Sequence, residues 1–140
     1  MLNELGIVFA NNIKQKKKMK FLSILLISIF SLSFSLKDIN DDITVAIKLG
    51  NTSELVKLFS DKVSIKVLGQ EDLLSKAQAQ AIVQDFFNRN TVKNYQTAHS
   101  SVVNGDQQFI TGTLDTSTGK YRVSILIRGN LISQFRIENE

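Results

Sequence analysis

The 140-residue chain contains no cysteine, no proline and no tryptophan, and only one histidine. Each absence removes a class of explanation. Without cysteine there can be no disulfide, no thiolate metal site, no thiol nucleophile and no lipoprotein acylation, so the fold must hold by packing alone. A single imidazole excludes a histidine-rich metal centre. Without proline, slow prolyl isomerisation has no part in folding. No phosphate-binding loop and no nucleophile–base spacing is present, and the sequence implies no cofactor.

The basic excess also disappears on inspection. The chain has 17 Lys and Arg against 13 Asp and Glu. Residues 1–35 hold five of those basic residues, Lys14, Lys16, Lys17, Lys18 and Lys20, and a single acid, Glu4. Residues 36–140 keep twelve of each sign and carry no formal net charge. A nucleic-acid binder would keep a basic stripe in its folded part, so that class of partner is set aside.

The lysine cluster runs directly into an apolar, serine-laced stretch from Phe21 to Phe34. Together they have the layout of an export signal: a basic n-region, an apolar h-region over 21–30, and small residues Ser33 and Ser35 for cleavage before Leu36. The stretch is shorter than the ~20 residues of a spanning helix, so cleavage is expected rather than a permanent anchor. The expected location is therefore periplasmic or secreted, with membrane contact only through an uncleaved leader. Met19-Lys20-Phe21 would itself begin a signal, so Met1 and Met19 both stand as starts.

The remaining 105 residues, 36–140, suffice for one domain with one core. Segment 38–49 places Ile39, Ile43, Ala46 and Ile47 at helical spacing. Asp38, Asp41 and Asp42 stand in its first turns, where the helix dipole favours anions, and Gly50 follows as a C′ residue. Asn51 and Glu54 have capping-box spacing before a short helix over 52–59. Val63, Ile65 and Val67 alternate as a half-buried strand, and 69–72 reads as a turn. Ser75 and Gln78 form a second capping box, opening a helix to about Asn90 with Ala79, Ile82, Val83, Phe86 and Phe87 on one face.

From residue 92 the period changes to two. Strands are expected at 92–103, 107–115, 121–128 and 131–138, joined by turns at Asn104-Gly105, at 116–119 and at Gly129-Asn130. Four strands with short turns make an antiparallel meander. The helices preceding it are the only material to cover its apolar face. The fold class is α+β, in the order α-α-β-α-β-β-β-β, with a curved sheet wrapped on helices and a cavity against the 75–90 helix.

A family resemblance runs through several of these segments. It rests on Asn51-Thr52-Ser53-Glu54-Leu55 and on Ser75-Lys76-Ala77-Gln78-Ala79 leading to Phe86-Phe87. It also rests on Tyr95 and His99 in the next strand, and on Gly119-Lys120-Tyr121-Arg122-Val123 opening the third meander strand. With these, the chain resembles a family of small exported bacterial proteins of unknown function with the nuclear-transport-factor-2-like (cystatin-like) fold. Relatives commonly carry glycine after the histidine, where this chain has Ser100. The resemblance spans about 38–138 and implies a cone-shaped sheet. It leaves function open, because that superfamily includes isomerases, dehydratases, ligand binders and dimeric interaction modules.

His99 is the candidate catalytic residue, as the only imidazole. Strict alternation puts Tyr95, Thr97, His99 and Ser101 on one strand face, so Tyr95 and His99 are expected to line the cavity together. Phe109 and Tyr121 complete a candidate ligand-binding set, with Asp85 as the acid nearest the apolar helix face. The bland alternative is a satisfied histidine and packed aromatics, which holds above all for Phe86 and Phe87. Arg122, Arg128, Gln134 and Arg136 project from the opposite sheet face, with Leu126 and Ile132 among them. That mixed surface is compatible with a monomer or a dimer; the resemblance implies that such sheet faces often pair with a second copy.

Two functional readings follow. The first is a non-catalytic module of the cell envelope that binds a small ligand or another envelope protein, with a homodimer formed through the outer sheet face. The second is a cofactor-free hydrolyase or isomerase with a pocket around His99 and Tyr95 or Tyr121.

Overall fold

A computed structural model of the chain describes residues 3–12, 14 and 38–140. Residues 3–12 are helical and belong to a unit separate from Lys37–Glu140. The expected h-region and cleavage site lie outside the described residues.

Local chemistry sets the helix boundaries. Helix α1 spans Ile39–Lys48. Asp38 caps it by accepting the Asn40 N–H at 3.1 Å, and Ile43, Ala46 and Ile47 form its buried stripe. It ends in a Schellman motif: Gly50 N–H donates to Ile47 O at 2.9 Å and Asn51 N–H to Ala46 O at 2.8 Å. Gly50 provides the required left-handed residue, at φ +59°. Helix α2 spans Thr52–Lys57. Asn51 Oδ1 accepts the Glu54 N–H at 3.2 Å, but the Glu54 carboxylate turns to Lys57 Nζ at 2.5 Å. Only half of the expected capping box therefore forms there.

Strand β1 spans Phe59–Val67, starting four residues earlier than its alternation suggests. The stretch after it is the main departure from expectation. Glu71–Ser75 is a strand, β2, antiparallel to β1, and not a turn followed directly by a helix. Its five residues carry two acids and sit at a sheet edge, where polar side chains are tolerated. Ser75 ends β2 and also caps helix α3, Lys76–Arg89. Here the capping box is complete: Gln78 N–H donates to Ser75 Oγ at 3.4 Å and Ser75 N–H to Gln78 Oε1 at 3.0 Å.

The four strands of the meander follow: β3 (Val92–Asn104), β4 (Gln107–Thr116), β5 (Lys120–Arg128) and β6 (Leu131–Asn139). Gly129 and Asn130 both have positive φ, as a two-residue hairpin turn requires. In the β3–β4 turn, by contrast, Asn104 stays in the strand and Gly105-Asp106 makes the bend. The six-stranded sheet has the order β2-β1-β6-β5-β4-β3. All neighbouring strands are antiparallel except β1 and β6, which are parallel. Over residues 38–140 the element order is therefore α-α-β-β-α-β-β-β-β.

One sheet face is apolar and packs on the helices, with α3 against β1 and β2 and α1 against β3. Phe59, Val63, Ile65, Leu114, Ile125 and Phe135 are fully or almost fully buried there. Ile132 joins them at zero exposure, although alternation puts it on the outer face. The β5–β6 register shifts between Leu126 and Ile127, opposite Ser133, and this extra residue turns Ile132 inward.

Candidate functional site

The position of His99 is set by a bulge. On β3, Tyr95 pairs with Leu114, Gln96 with Thr113 and Thr97 with Gly112. The next paired residue is His99, opposite Thr111, so Ala98 is the extra residue. Strand side chains alternate faces, so one inserted residue reverses everything after it. Leu114 and Gly112 face the helices, whereas Thr111 faces outward. Tyr95 therefore points into the core, while the exposed His99 stands on the outer face. The expectation that the two line one cavity is not met, because it assumed an unbroken period of two.

Phe109 also lies on the outer face, half-buried and paired with Ser101 and Leu126. The four sequence-selected residues thus divide into an inward pair, Tyr95 and Tyr121, and an outward pair, His99 and Phe109. Leu114 separates the inward pair, since it is register partner to both tyrosines.

The two tyrosines differ in how their hydroxyls are satisfied. Tyr95 is 2% exposed and its Oη makes no hydrogen bond. Burial pushes its pKa above the ordinary phenol value, and the Thr97 hydroxyl, close by but outside hydrogen-bond geometry, only partly opposes that. Its ring lies over Gly112, where an added Cβ would come within 2.7 Å of Tyr95 Cε2, Tyr95 Oη and Gln96 O. Tyr121 packs edge-on against Phe86, with ring centroids 5.2 Å apart. Its hydroxyl lies 3.0 Å from Thr118 Oγ1 and donates to Asn90 Oδ1 at 3.3 Å. Thr118 Oγ1 also donates to Asn90 Oδ1, and Asn90 Nδ2 donates to Phe86 O at 2.7 Å. Asn90 is the hub of this buried network. The sequence marks it only as the end of a helix; the one available signal is an amide at the C-cap, four residues after Phe86.

Asp85 sits near a cleft between α3 and the end of β1, paired with Arg89 at 3.0 Å. The cleft measures about 200 Å³ and is lined by Val67, Leu68, Ile82, Phe86 and Asn90 as well as that ion pair. Neither His99 nor either tyrosine reaches it. A second cleft, about 290 Å³, lies between α1 and α2, with Val45, Leu49 and Leu58 in its lining. Phe86, Phe87 and Ile125 are buried in the space where the sequence suggested a cavity. Among the described residues no group of three or more acidic, histidine or cysteine side chains could hold a metal ion.

The outer face is ordered in rows that cross the sheet. One row runs Leu73, Ser64, Gln134, Leu126, Phe109 and Ser101 across all six strands. The adjacent row runs Glu71, Lys66, Arg136, Ser124, Thr111 and His99. Charge is concentrated at the β2-β1-β6 end. The Glu71 carboxylate accepts from Ser64 Oγ, from Gln134 Nε2 at 2.5 Å and from Arg136 Nη2 at 2.6 Å. These contacts, the Ser64 and Gln134 hydrogen bonds foremost, lower its pKa from 4.5 to about 2. Glu138 accepts from Lys66 Nζ at 2.6 Å and lies 3.6 Å from Arg122 Nη2. The Lys66 hydrogen bond is the largest cause of its lowered pKa. At the β5-β4-β3 end these two rows hold Leu126, Phe109, Ser124, Thr111 and His99, with Arg122 and Arg128 in the rows on either side.

Residues 40–139 match the family model described as Domain of unknown function (DUF4783). Among solved structures, a DUF4783 family protein from Bacteroides ovatus is 32% identical, covering 71% of this chain and 93% of its own, at a TM-score of 0.67. A DUF4783 family protein from Bacteroides uniformis is 26% identical, covering 74% and 98%, at a TM-score of 0.69. An uncharacterized bacterial protein with a cystatin-like fold from Silicibacter pomeroyi is 11% identical over 75% of both chains, at a TM-score of 0.55, and shares the fold. No curated protein matches the sequence. The architecture is the nuclear-transport-factor-2-like, cystatin-like α+β cone.

Proposed function

The chain belongs to the DUF4783 family, and on that premise we propose that it is an exported, non-catalytic interaction module whose outer sheet face packs against a second copy of itself. The observation that carries this reading is the outer face. The helices pack on the other side, and this side presents the half-buried Phe109–Leu126 pair between Arg122 and Arg128 of β5. Interfaces favour an apolar centre framed by polar groups and arginine. Six strands at about 4.8 Å spacing give a face about 25–30 Å wide. Covering three rows of it would bury on the order of 500–600 Å² per copy, close to the roughly 1,000 Å² total that a specific interface needs.

The rival reading, a hydrolyase or isomerase around His99 with Tyr95 or Tyr121, needs imidazole and phenol in one pocket. The Ala98 bulge puts them on opposite faces, and no other observation favours that chemistry.

Sedimentation over a range of concentrations tests the proposal. The protein should shift from monomer toward dimer as concentration rises, and Leu126→Lys should remain monomeric with an unchanged far-UV spectrum. A monomer at every concentration, or a Leu126→Lys variant that dimerises as well as the parent, would count against it.

A further inference from the structure

We propose that the cleft between α3 and the end of β1 binds a small, uncharged molecule with an apolar body and one hydrogen-bond acceptor. The cleft lies on the helix side of the sheet edge, away from Phe109 and Leu126, so it stands independently of any pairing between copies.

One side of the cleft is apolar and open to solvent, and Asp85, Arg89 and Asn90 make up the rest of its lining. Leu68 is 48% exposed and Ile82 39%, and both line the cleft with the edge of Phe86. Exposed large side chains are ordinary when scattered, but these two share one concavity. Leu68 also occupies a left-handed conformation, at φ +59°. That region disfavours any residue with a bulky Cβ substituent, and such strain persists where the surroundings enforce it, often at binding sites. Here the Leu68 N–H is anchored to Ile137 O at 2.9 Å, which holds the side chain at the cleft rim. Glycine or asparagine would serve the turn alone with less strain, so the turn does not explain the leucine.

Asn90, one of the lining residues, supplies the polar recognition. Asn90 is 8% exposed, and the Phe86 carbonyl fixes which way its carboxamide points, because only Nδ2 can donate there. Oδ1 already accepts from Thr118 and Tyr121. Nδ2 has a second N–H, and among the described residues no acceptor takes it. The ligand atom that meets Asn90 must therefore accept a hydrogen bond. Asp85 and Arg89 pair with each other on the rim at 3.0 Å, so neither charge is left over to balance an ionic ligand, and burying an unpaired charge is costly. The volume, about 200 Å³, equals roughly six or seven waters of liquid. That suits a single six-membered ring with a carbonyl or hydroxyl oxygen.

Cyclohexanone is a suitable probe, with methylenecyclohexane as the same shape lacking the acceptor. Each would be titrated into the labelled protein while methyl and side-chain amide resonances are recorded. Cyclohexanone should move the Leu68 and Ile82 methyls and the Asn90 amide along one saturating curve, and bind at least fivefold more tightly than methylenecyclohexane. Leu68→Gly should weaken binding at least tenfold. Ile82→Glu, at a half-exposed position, should do the same and carries the test if Leu68→Gly does not fold. Shifts that fail to saturate, that spread over the whole surface, or that persist in Ile82→Glu would overturn the site. Equal affinity for the two probes would overturn the role given to Asn90.

Discussion

Tyr95 and Gly112 are matched across the β3–β4 ladder: the tyrosine ring occupies the space that any Cβ at residue 112 would need, to within 2.7 Å. Gly112→Ala should therefore lower stability by about 1–3 kcal/mol, the usual cost of overpacking a core. Denaturant unfolding measures it. Because Tyr95 Oη is one of the clashing atoms, Tyr95→Phe in the alanine background should recover part of the loss. Additive effects of the two substitutions would contradict the contact.

The two buried tyrosines should respond to hydroxyl removal with opposite signs. Tyr95 Oη has no partner, so Tyr95→Phe should stabilise the fold by about 1 kcal/mol through relief of an unsatisfied buried group. Tyr121→Phe removes a hydroxyl bonded to Asn90 and Thr118 and should cost about 1 kcal/mol. Thermal unfolding of the two variants side by side settles the comparison. A loss in both would mean that Tyr95 Oη has a bonding partner in solution.

Much of the fold was legible because it rests on local patterns. Alternation in 107–115 and 121–128, the Gly129-Asn130 turn and the Ser75/Gln78 box each specify their own geometry within a few residues. What was not legible is non-local or breaks the period. The parallel pairing of β1 with β6 joins segments about 70 residues apart, and no local pattern encodes it. Strand β2 reads as a turn because Glu71 and Asp72 are polar, yet Glu71 is held by Arg136 and Gln134 from a distant strand. The bulges at Ala98 and Ser133 defeat period-two reasoning, and they alone misplace His99 and Ile132. The candidate site suffered most, since it depended on an unbroken strand between Tyr95 and His99. Tyr121 was legible as a candidate residue, but Asn90, which its hydroxyl bonds, was not.

The outer-face carboxylates give the stability a defined acid limb. Glu71 has a folded pKa of about 2 against 4.5 for the free side chain. A depressed folded value means that its contribution is complete above about pH 4.5 and is lost as pH falls toward 2. Glu138 is shifted in the same direction. Glu71 lies on the surface, so solvent screening holds its contribution to about 1 kcal/mol or less. Glu71→Gln should lower stability by that amount at pH 7 and flatten the profile between pH 4.5 and 2. An acid limb identical to that of the parent would contradict the network.

The proposal that the outer sheet face is the interaction surface has its most direct test in a distance between copies. The chain has no cysteine, so a single introduced thiol takes a spin label uniquely. Thr113→Cys places one on the outer face, and Lys48→Cys places one at the end of α1 on the helix side. Sheets packed face to face lie about 10 Å apart. Labels at residue 113 in two copies should therefore give a well-defined distance below about 40 Å, and labels at residue 48 a longer one or none. A short, defined distance at residue 48, or no distance between copies at residue 113 at concentrations where the protein sediments as a dimer, would contradict the account.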